Sequence, residues 1–314
     1  MSRALLLTAV IALSLALPPF LPRHLVDLLV FTGIYSIAGL GVGLLLGQCG
    51  IVNLGQTVFY GIGAYSTAYV TVQVGGSPLG GCAIAIVLSA LLALAVGWPI
   101  LRLTGYFLAL ATLALGIIAN ALFYEWSWLT GGTLGIGGVP KLQLFSFVLD
   151  TPLRFYYLVV TVMSLCLLLA HNLTRSRNGL MLRAMRDAPE AATSLAIDLQ
   201  WLRTRIFILS AVMGSVAGSL FAHYGGYVSV QSFGIDTSIS FLLIPVLGGA
   251  TSLPGVVVGA LFITLLPELL SRFGNVHQIL FGLALVGVVV LMPTGLMGAL
   301  AWLWQRVSQR AAKP

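Results

Sequence analysis

The sequence predicts an all-α polytopic membrane protein, and three features support this prediction. Hydrophobic residues make up 59% of the 314 residues, only 7% are charged, and the mean hydropathy is +1.05. Soluble proteins have about 25% charged residues, so 15 Lys+Arg and 8 Asp+Glu cannot cover a water-exposed surface of this size. The apolar runs are continuous rather than alternating, which favours spanning helices over barrel strands. We therefore expect residues 1–314 to form a single transmembrane domain.

A spanning helix needs about 20 mostly apolar residues, and the chain offers about ten such segments (eight to ten). The candidate spans are Leu5–Leu21, Leu25–Leu46, Thr57–Val72, Gly80–Leu101, Tyr106–Tyr124, Arg154–Ala170, Arg205–His223, Ser238–Gly249, Pro254–Leu270 and Val276–Leu300. The first resembles a signal peptide, but no soluble passenger follows it, so we expect it to remain as a short span. Ser238–Gly249 is short and contains Pro245, which predicts a broken or partial helix.

The positive charges predict the orientation of the spans. With a cytoplasmic N-terminus, 11 of the 15 Lys and Arg residues fall in inside loops and four in outside loops. The positive-inside rule therefore favours an N-in, C-in topology. The outside four are Arg23, Lys141, Arg154 and Arg272. Although the net charge is +7, the cations form no basic surface interleaved with aromatics, so we expect contact with membrane lipid and no nucleic-acid partner.

One segment, His171–Arg205, differs from the rest because it contains six Arg and three acidic residues. An Arg at the bilayer centre costs about 2.5–3.5 kcal/mol, so about 172–204 should be a cytoplasmic loop between the sixth and seventh spans. Asp187 as N-cap, Pro189 and Glu190 predict a helix start, and this helix should continue to Leu199. Its small apolar face (Ala188, Ala191, Ala192, Leu195, Leu199) fits a groove on a partner or the surface of anionic lipid equally well.

Three glycine-rich polar stretches interrupt the apolar runs: Gly47–Gln56, Thr130–Pro140 and Gly248–Gly255. Non-helical backbone at membrane depth must be buried in protein or line a watery cavity. The first and third stretches are therefore either parts of a transport path or ordinary turns, whereas the second, in an outside loop, is expected to be a turn. Small residues four apart, at Gly43/Gly47, Gly214/Gly218 and Gly255/Gly259, are compatible with close helix packing.

The sequence lacks the motifs of an ATPase, a hydrolase or a metal enzyme. The two lysines, Lys141 and Lys313, do not follow a glycine, which excludes the GxxxxGK[ST] phosphate loop. We therefore expect no catalytic residues, no metal site and no cofactor on this chain. The acids Glu125, Asp236 and Glu268 lie near span ends or in a loop, so nothing is placed to couple transport to an ion gradient.

Four motifs in the same order resemble the permease subunits of bacterial branched-chain amino acid ABC importers, of the LivM type. The motifs are CGIVNLGQTVFYGIGAY at Cys49–Tyr65, the glycine loop at Thr130–Pro140, the segment Arg183–Leu199, and LGGATSLPGVVVGA at Leu247–Ala260. The resemblance covers about Leu25 to Met297. Asn53 and Gln56 stand where the family usually has Ser and His, Ala196 where Gly is usual, and Thr251 where Gly precedes Ser252.

The resemblance implies a permease in the bacterial inner membrane that carries amino acids delivered by a periplasmic binding protein. It implies a second homologous permease subunit and two cytoplasmic ATPase subunits, which would hold the ATP and Mg²⁺. It favours a partner groove for the cytoplasmic helix. The implied coupling residues are Arg183, Asp187, Glu190, Ala191, Ala192, Leu195, Ala196 and Ile197. The implied path or gate residues are Gly50, Asn53, Gly55, Gln56, Gly61, Gly63, Tyr65, Gly248, Gly249, Ser252 and Gly255.

Alternative functions remain at this point. A permease of the same family could carry urea, short amides or other amino acids, because the discriminating pocket would lie on the binding protein. A polytopic membrane enzyme acting on lipid would need a cluster of acid, base or metal-binding residues, and the sequence contains none. A stand-alone channel or carrier would transport without ATPases.

Overall fold

A computed structural model describes residues 17–144, 147–194, 198–292 and 295–299, and confirms a helical protein. The longer helices are α1 (Arg23–Cys49), α2 (Gln56–Ala68), α3 (Pro78–Ile100), α4 (Gly105–Glu125), α5 (Pro152–Arg175), α6 (Arg177–Asp187), α7 (Pro189–Ser194), α8 (Leu199–Gly225), α9 (Ile235–Gly248), α10 (Leu253–Leu270) and α11 (His277–Leu291). A π-helical turn, Tyr69–Gln73, extends α2. Shorter helical segments lie at Pro18–Phe20, Ser127–Thr130, Gly132–Leu134, Val230–Phe233 and Ser271–Val276, the last of which is kinked at Gly274.

Six of the described helices are long and apolar enough to cross a membrane: α1, α3, α4, α5, α8 and α10. Helices α9 and α11 contain shorter apolar segments. Each predicted span from Leu25 onward overlaps at least one helix, whereas most of Leu5–Leu21 lies outside the described residues. The multi-pass character is therefore confirmed, while the count of ten spans and the N-in, C-in topology stay predictions.

Helices α1 and α8 form the centre of the bundle. In their most apolar windows 78% and 72% of the residues are buried, against 22–28% in α3, α4, α5 and α10. The outer helices expose large apolar side chains such as Leu91, Phe107 and Ile118, which is stable only against lipid or another apolar protein surface. Because α2 is also almost entirely buried, residues on α1, α2 and α8 are shielded from the surroundings by the other helices.

Capping interactions explain where several helices begin and end. The side chains of Ser77, Thr151, Ser176, Asp198 and Ser252 each accept a backbone N–H in the first turn of α3, α5, α6, α8 and α10, respectively. Such caps satisfy amide groups that have no partner inside the helix. At the other end of α1, Gly50 adopts φ +68°, the left-handed conformation that commonly ends a helix.

Within the described residues, four two-residue strands lie in the loops. Strand β1 (Ile136–Gly137) pairs antiparallel with β4 (Tyr227–Val228), and β2 (Gln143–Leu144) pairs with β3 (Phe147–Val148). A side chain at Gly135 would come within 2.2 Å of the Val228 carbonyl oxygen, so the glycine-rich loop before β1 allows close backbone contact. The second glycine stretch is therefore more ordered than the plain turn expected from the sequence.

Two predicted helices differ from the structure. The predicted span Val276–Leu300 is wrong as one helix, because α11 ends at Leu291 and Met292 leaves the helical conformation. Pro293 follows in the sequence, and a proline disfavours helix at the residue before it. A single helix over Asp187–Leu199 is also wrong: Asp187 ends α6, Ala188 has φ −150° and ψ 75°, and Asp198 caps α8. Asp187 is therefore not the N-cap, although Pro189 does begin α7.

Candidate translocation path and coupling segment

The first glycine break contains a buried polar knot, which we define as Asn53, Gln56 and Ser210. The Gln56 amide nitrogen donates to the Ser210 carbonyl at 3.0 Å and lies 3.4 Å from the Ala38 carbonyl. Its Oε1 accepts from the Ser210 hydroxyl at 3.1 Å and from the Asn53 amide at 3.2 Å. All three side chains are 0% exposed. The knot therefore joins α1, the break, α2 and α8 through hydrogen bonds in a water-poor interior, where such bonds are costly to lose.

The unwound backbone of this break is satisfied by neighbouring helices. The Leu54 N–H donates to the Thr112 hydroxyl of α4 at 3.1 Å, and the Leu54 carbonyl accepts from the Ser238 hydroxyl of α9. The Gly55 N–H donates to Asn53 Oδ1 at 2.9 Å. Non-helical backbone inside a bilayer requires hydrogen-bond partners of this kind. The neighbouring helices therefore stabilise the unwound conformation of the break.

Glycines allow α2 and α8 to approach until their backbones touch. A Cβ at Gly218 would lie 1.9 Å from the Tyr60 carbonyl oxygen, and one at Gly63 would lie 2.1 Å from the Ser215 carbonyl oxygen. A Cβ at Gly214 would lie 2.8 Å from the Gln56 amide nitrogen. The predicted close packing at the pair Gly214/Gly218 is therefore observed, with α2 as the neighbour.

The third glycine break packs against the end of α1. A Cβ at Gly248 would lie 1.9 Å from the Gly255 carbonyl oxygen, and one at Gly259 would lie 2.1 Å from that of Ile244, so α9 and α10 are in backbone contact. A Cβ at Gly47 would lie 1.9 Å from the Ala250 carbonyl oxygen. The first and third breaks therefore meet at Gly47 and Ala250, although they are about 200 residues apart in the sequence.

The structure places the predicted path residues in these contacts. Asn53, Gln56 and Tyr65 are at most 2% exposed, and a Cβ at Gly61 would lie 2.4 Å from the Phe123 ring. Gly50 and Gly55 lie at the two ends of the unwound segment, Gly248 and Gly249 end α9, Ser252 caps α10, and Gly255 contacts Gly248. A role for these residues in a path stays a prediction.

An aromatic cluster beside the knot was not predicted from the sequence, apart from Tyr65. We define it as Tyr35, Tyr60, Tyr65, Phe123, Phe221, Phe233 and Phe241. The Tyr60 ring centroid lies 5.1–5.6 Å from those of Phe221, Phe233 and Phe241, and the Tyr65 centroid lies 5.1–5.3 Å from those of Phe123 and Phe233. These are favourable aromatic separations. The members come from six separate segments, so no local spacing signals the cluster.

Two hydroxyls in this cluster lack partners. Tyr60 is 1% and Tyr65 is 2% exposed, and neither hydroxyl has a hydrogen-bond partner among the residues that the structure describes. A buried hydroxyl without a partner typically costs about 1–3 kcal/mol.

The arginine-rich segment is attached to the end of α1. The Arg183 guanidinium donates to the Thr174 carbonyl at 2.9 Å and to the Gln48 side chain at 3.3 Å, and Arg186 donates to the Gly47 carbonyl. A Cβ at Gly50 would lie 2.9 Å from the Arg186 side chain. The segment is therefore held against the place where the two glycine breaks meet.

The predicted apolar face is only partly exposed: Ala188 is exposed, whereas Ala192 is 1% exposed and is packed inside this chain. Polar side chains are also exposed here: Asp187 at the end of α6, and Glu190 and Thr193 on α7. The Arg186 guanidinium, 2.8 Å from the Asp187 carboxylate, lowers the pKa of that group. The predicted coupling residue Ala191 lies within α7, whereas Leu195, Ala196 and Ile197 lie outside the described residues.

Fold and site together define a class: a multi-pass helical membrane protein with unwound, polar breaks at its centre and a charged segment attached to them. Residues 24–292 match the family described as the permease component of the branched-chain amino acid transport system. The match covers most of the chain, so this protein belongs to that permease family. No solved structure matches the chain.

Individual relatives agree with this assignment. The chain is 31% identical to the high-affinity branched-chain amino acid transport permease LivM of Escherichia coli K12, over 93% of this chain and 74% of the relative. It is 24% identical to LivH of the same organism, over 84% and 91% of the two chains. It is also 31% identical to the autoinducer 2 import permease LsrC of an Enterobacter strain, over 69% of each chain.

Proposed function

We propose that this chain is a permease subunit of an ATP-driven importer for branched-chain amino acids in a bacterial inner membrane. A second, homologous permease subunit would complete the path, two cytoplasmic ATPases would hold ATP and Mg²⁺, and a periplasmic binding protein would deliver the solute. Family membership and the names of LivM and LivH support the solute class. The observation that carries the mechanism is the attachment of Arg183 and Arg186 to α1 at the junction of the two glycine breaks.

The proposed mechanism uses α6 and α7 as a lever. Closure of the ATPases on ATP would move α7, and the arginine contacts would transmit this movement to Gly47 and Gln48. Because Gly47 touches Ala250, both glycine breaks would shift together. Helices α1 and α9 carry Tyr35 and Phe241 of the aromatic cluster, so their displacement would open the cluster for an apolar side chain. Packed interiors switch between discrete arrangements and transmit such displacements.

The coupling role is tested on the exposed surface of α7. In the purified complex, Thr193→Arg is expected to abolish co-purification of the ATPase subunits and to reduce substrate-stimulated ATP hydrolysis at least tenfold. Thr193 is exposed, so an arginine there would not disturb the fold but would block a partner surface. Thr133→Arg, an exposed threonine in the glycine loop after α4, is the matched control and should retain the ATPases. Normal ATPase binding by Thr193→Arg would contradict the proposal.

The gate role of the aromatic cluster is tested at the unpartnered hydroxyl of Tyr60. We expect Tyr60→Phe to raise the free energy of unfolding by about 1 kcal/mol, because a buried unsatisfied hydroxyl is removed. Uptake of leucine by the reconstituted complex should nevertheless fall several-fold. The reason is that the Tyr60 hydroxyl would form a hydrogen bond to the solute, or to another group of the gate, when the aromatic cluster is open. Tyr106→Phe, on a 73% exposed side chain of α4, should change neither quantity. Unchanged uptake by Tyr60→Phe would remove the gate role.

A solute other than an amino acid is the second candidate, favoured by the similarity to LsrC. Proteoliposomes that contain the full complex should accumulate radiolabelled leucine only with ATP and the binding protein. Urea, acetamide and autoinducer 2 should not compete. Competition by autoinducer 2 but not by isoleucine would favour the second candidate, and uptake by this chain alone would favour a stand-alone carrier.

A further inference from the structure

A cavity of about 300 Å³ opens at the end of the bundle opposite the arginine-rich segment. The first turns of α1 and α5 and the last turn of α8 form its walls. Its volume is at the lower end of the range that small-molecule sites occupy.

The wall of this cavity carries charges of both signs. Arg23 and Lys141 are cationic, and Asp27 and Asp150 are anionic, so the four charges sum to zero at neutral pH. The Asp27 carboxylate accepts from the Tyr224 hydroxyl, the Lys141 ammonium donates to the Tyr224 carbonyl at 3.0 Å, and Asp150 pairs with Arg154 at 3.0 Å. Asp27, Lys141 and Asp150 are therefore each held in position by a neighbour, and all four charged residues border the cavity.

Helix ends reinforce this pattern. The N-termini of α1 and α5 carry partial positive charge and favour a carboxylate, whereas the C-terminus of α8 carries partial negative charge and favours an ammonium group. The N-cap of α1, Pro22, provides no side-chain cap for the first amides of the helix. A ligand with one carboxylate and one ammonium group would be complementary to both kinds of helix end.

The remaining wall is apolar and continues into the aromatic cluster. Phe31 and Phe155 line the cavity and pack on Tyr224 with ring centroids 5.5 and 4.9 Å apart. Phe31 also lies 6.3 Å from Phe221, which in turn lies 5.5 Å from Tyr60. The apolar part of a ligand would therefore contact the rings that lead to the proposed gate.

We propose that this cavity is an entrance site that binds a zwitterionic amino acid with an apolar side chain. Arg23 and Lys141 would face the carboxylate, Asp27 would face the ammonium group, and Phe31 and Phe155 would contact the side chain. The site rests on the proposed transport function and deepens it, because it gives the permease its own recognition of the solute. The structure brings these charged groups together from α1 (Arg23 and Asp27) and from the segment before α5 (Lys141 and Asp150).

The test uses three probes that differ by one charged group: leucine, 4-methylpentanoate, which lacks the ammonium group, and 3-methylbutylamine, which lacks the carboxylate. Their binding to the full complex in nanodiscs, without binding protein, is measured by calorimetry. We expect leucine to bind with a dissociation constant at least tenfold lower than either analogue. Asp27→Asn keeps an acceptor for Tyr224 and should weaken leucine binding at least tenfold, but leave 4-methylpentanoate binding unchanged.

Lys141→Gln is the second variant and should weaken leucine binding several-fold while leaving 3-methylbutylamine binding unchanged. Asp236→Asn and Arg272→Gln are matched controls on exposed residues away from the cavity, and should bind leucine like the wild type. Equal binding of leucine and both analogues would overturn the proposal. The proposal would also be overturned if the Asp27 and Lys141 variants bound leucine normally but had a lower affinity for the binding protein. The charges would then form a docking surface for that protein.

Failure of this site and failure of the proposed function give different results. If the wild-type complex transports leucine but binds none without the binding protein, only the entrance site is wrong. If the wild-type complex transports no branched-chain amino acid, the proposed function is wrong. An unfolding temperature for each variant separates loss of binding from loss of fold.

Discussion

Gly218→Ala is expected to destabilise the folded chain by about 3 kcal/mol or more, and thereby to abolish transport. The new methyl group would lie 1.9 Å from the Tyr60 carbonyl oxygen and 3.0 Å from the Ala64 nitrogen. Overpacking usually costs about 1–3 kcal/mol, when side chains can shift. Here both contacts are with backbone, and α2 is also held by Gly63 against Ser215, so the two helices would have to separate.

The measurement is the unfolding temperature of the purified chain in detergent, together with the fraction recovered as a monodisperse species. Gly282→Ala is the matched control, because this helical glycine of α11 has nothing within 4 Å of the added methyl group. Alanine favours helix over glycine by up to about 1 kcal/mol, so the control should be unchanged or slightly stabilised. A Gly218→Ala chain that unfolds at the wild-type temperature would refute the close crossing of α2 and α8.

Gln56→Leu is expected to lower the free energy of unfolding by about 3 kcal/mol. The substitution leaves the Asn53 amide and the Ser210 hydroxyl, both buried, without the oxygen that accepts from them. A buried polar group that loses its partner costs about 1–3 kcal/mol, and two groups lose theirs here. The unfolding temperature and a denaturant titration of the purified chain measure the effect.

A double-mutant cycle shows whether the knot acts as a unit. Ser210→Ala removes one of the two stranded donors, so Gln56→Leu combined with Ser210→Ala should cost at least about 1 kcal/mol less than the sum of the single changes. Gln56→His keeps one donor and one acceptor and should cost less than Gln56→Leu. Additive effects in the cycle would show that the hydrogen bonds contribute little.

Much of the fold was predictable because membrane helices have a strong local signal. Helices α1, α3, α4, α5, α8 and α10 begin and end within a few residues of the predicted spans, except that α8 begins six residues early and α5 ends five residues late. Both extensions continue into the charged segment, which the sequence predicts to lie outside the bilayer. The predicted end of α11 lies too far along the chain, although Pro293 is a local signal that the helix should end before it.

The candidate site was predictable only in part. The glycine breaks and Gln56 were identified from composition and from the family motif, whereas Tyr60, Phe233 and Phe241 were not. Ala192, predicted to face a partner, is instead buried in its own chain. An apolar face on a short helix indicates that it packs against something, and the sequence does not say whether the neighbour belongs to the same chain.

By itself the sequence determined that the chain is a multi-pass membrane protein, that its arginines concentrate in one segment, and which family it resembles. The first two properties follow from the free-energy cost of placing a charged side chain in hydrocarbon, which each charged residue incurs whatever the fold. The third follows from four short motifs that occur in the same order. Only the tertiary structure decided that Gly47 meets Ala250, that Gln56 bonds to Ser210, and that Asp27 and Lys141 border one cavity. Contacts between residues more than 100 positions apart depend on how helices pack, and packing depends on the complementary shapes of many side chains at once.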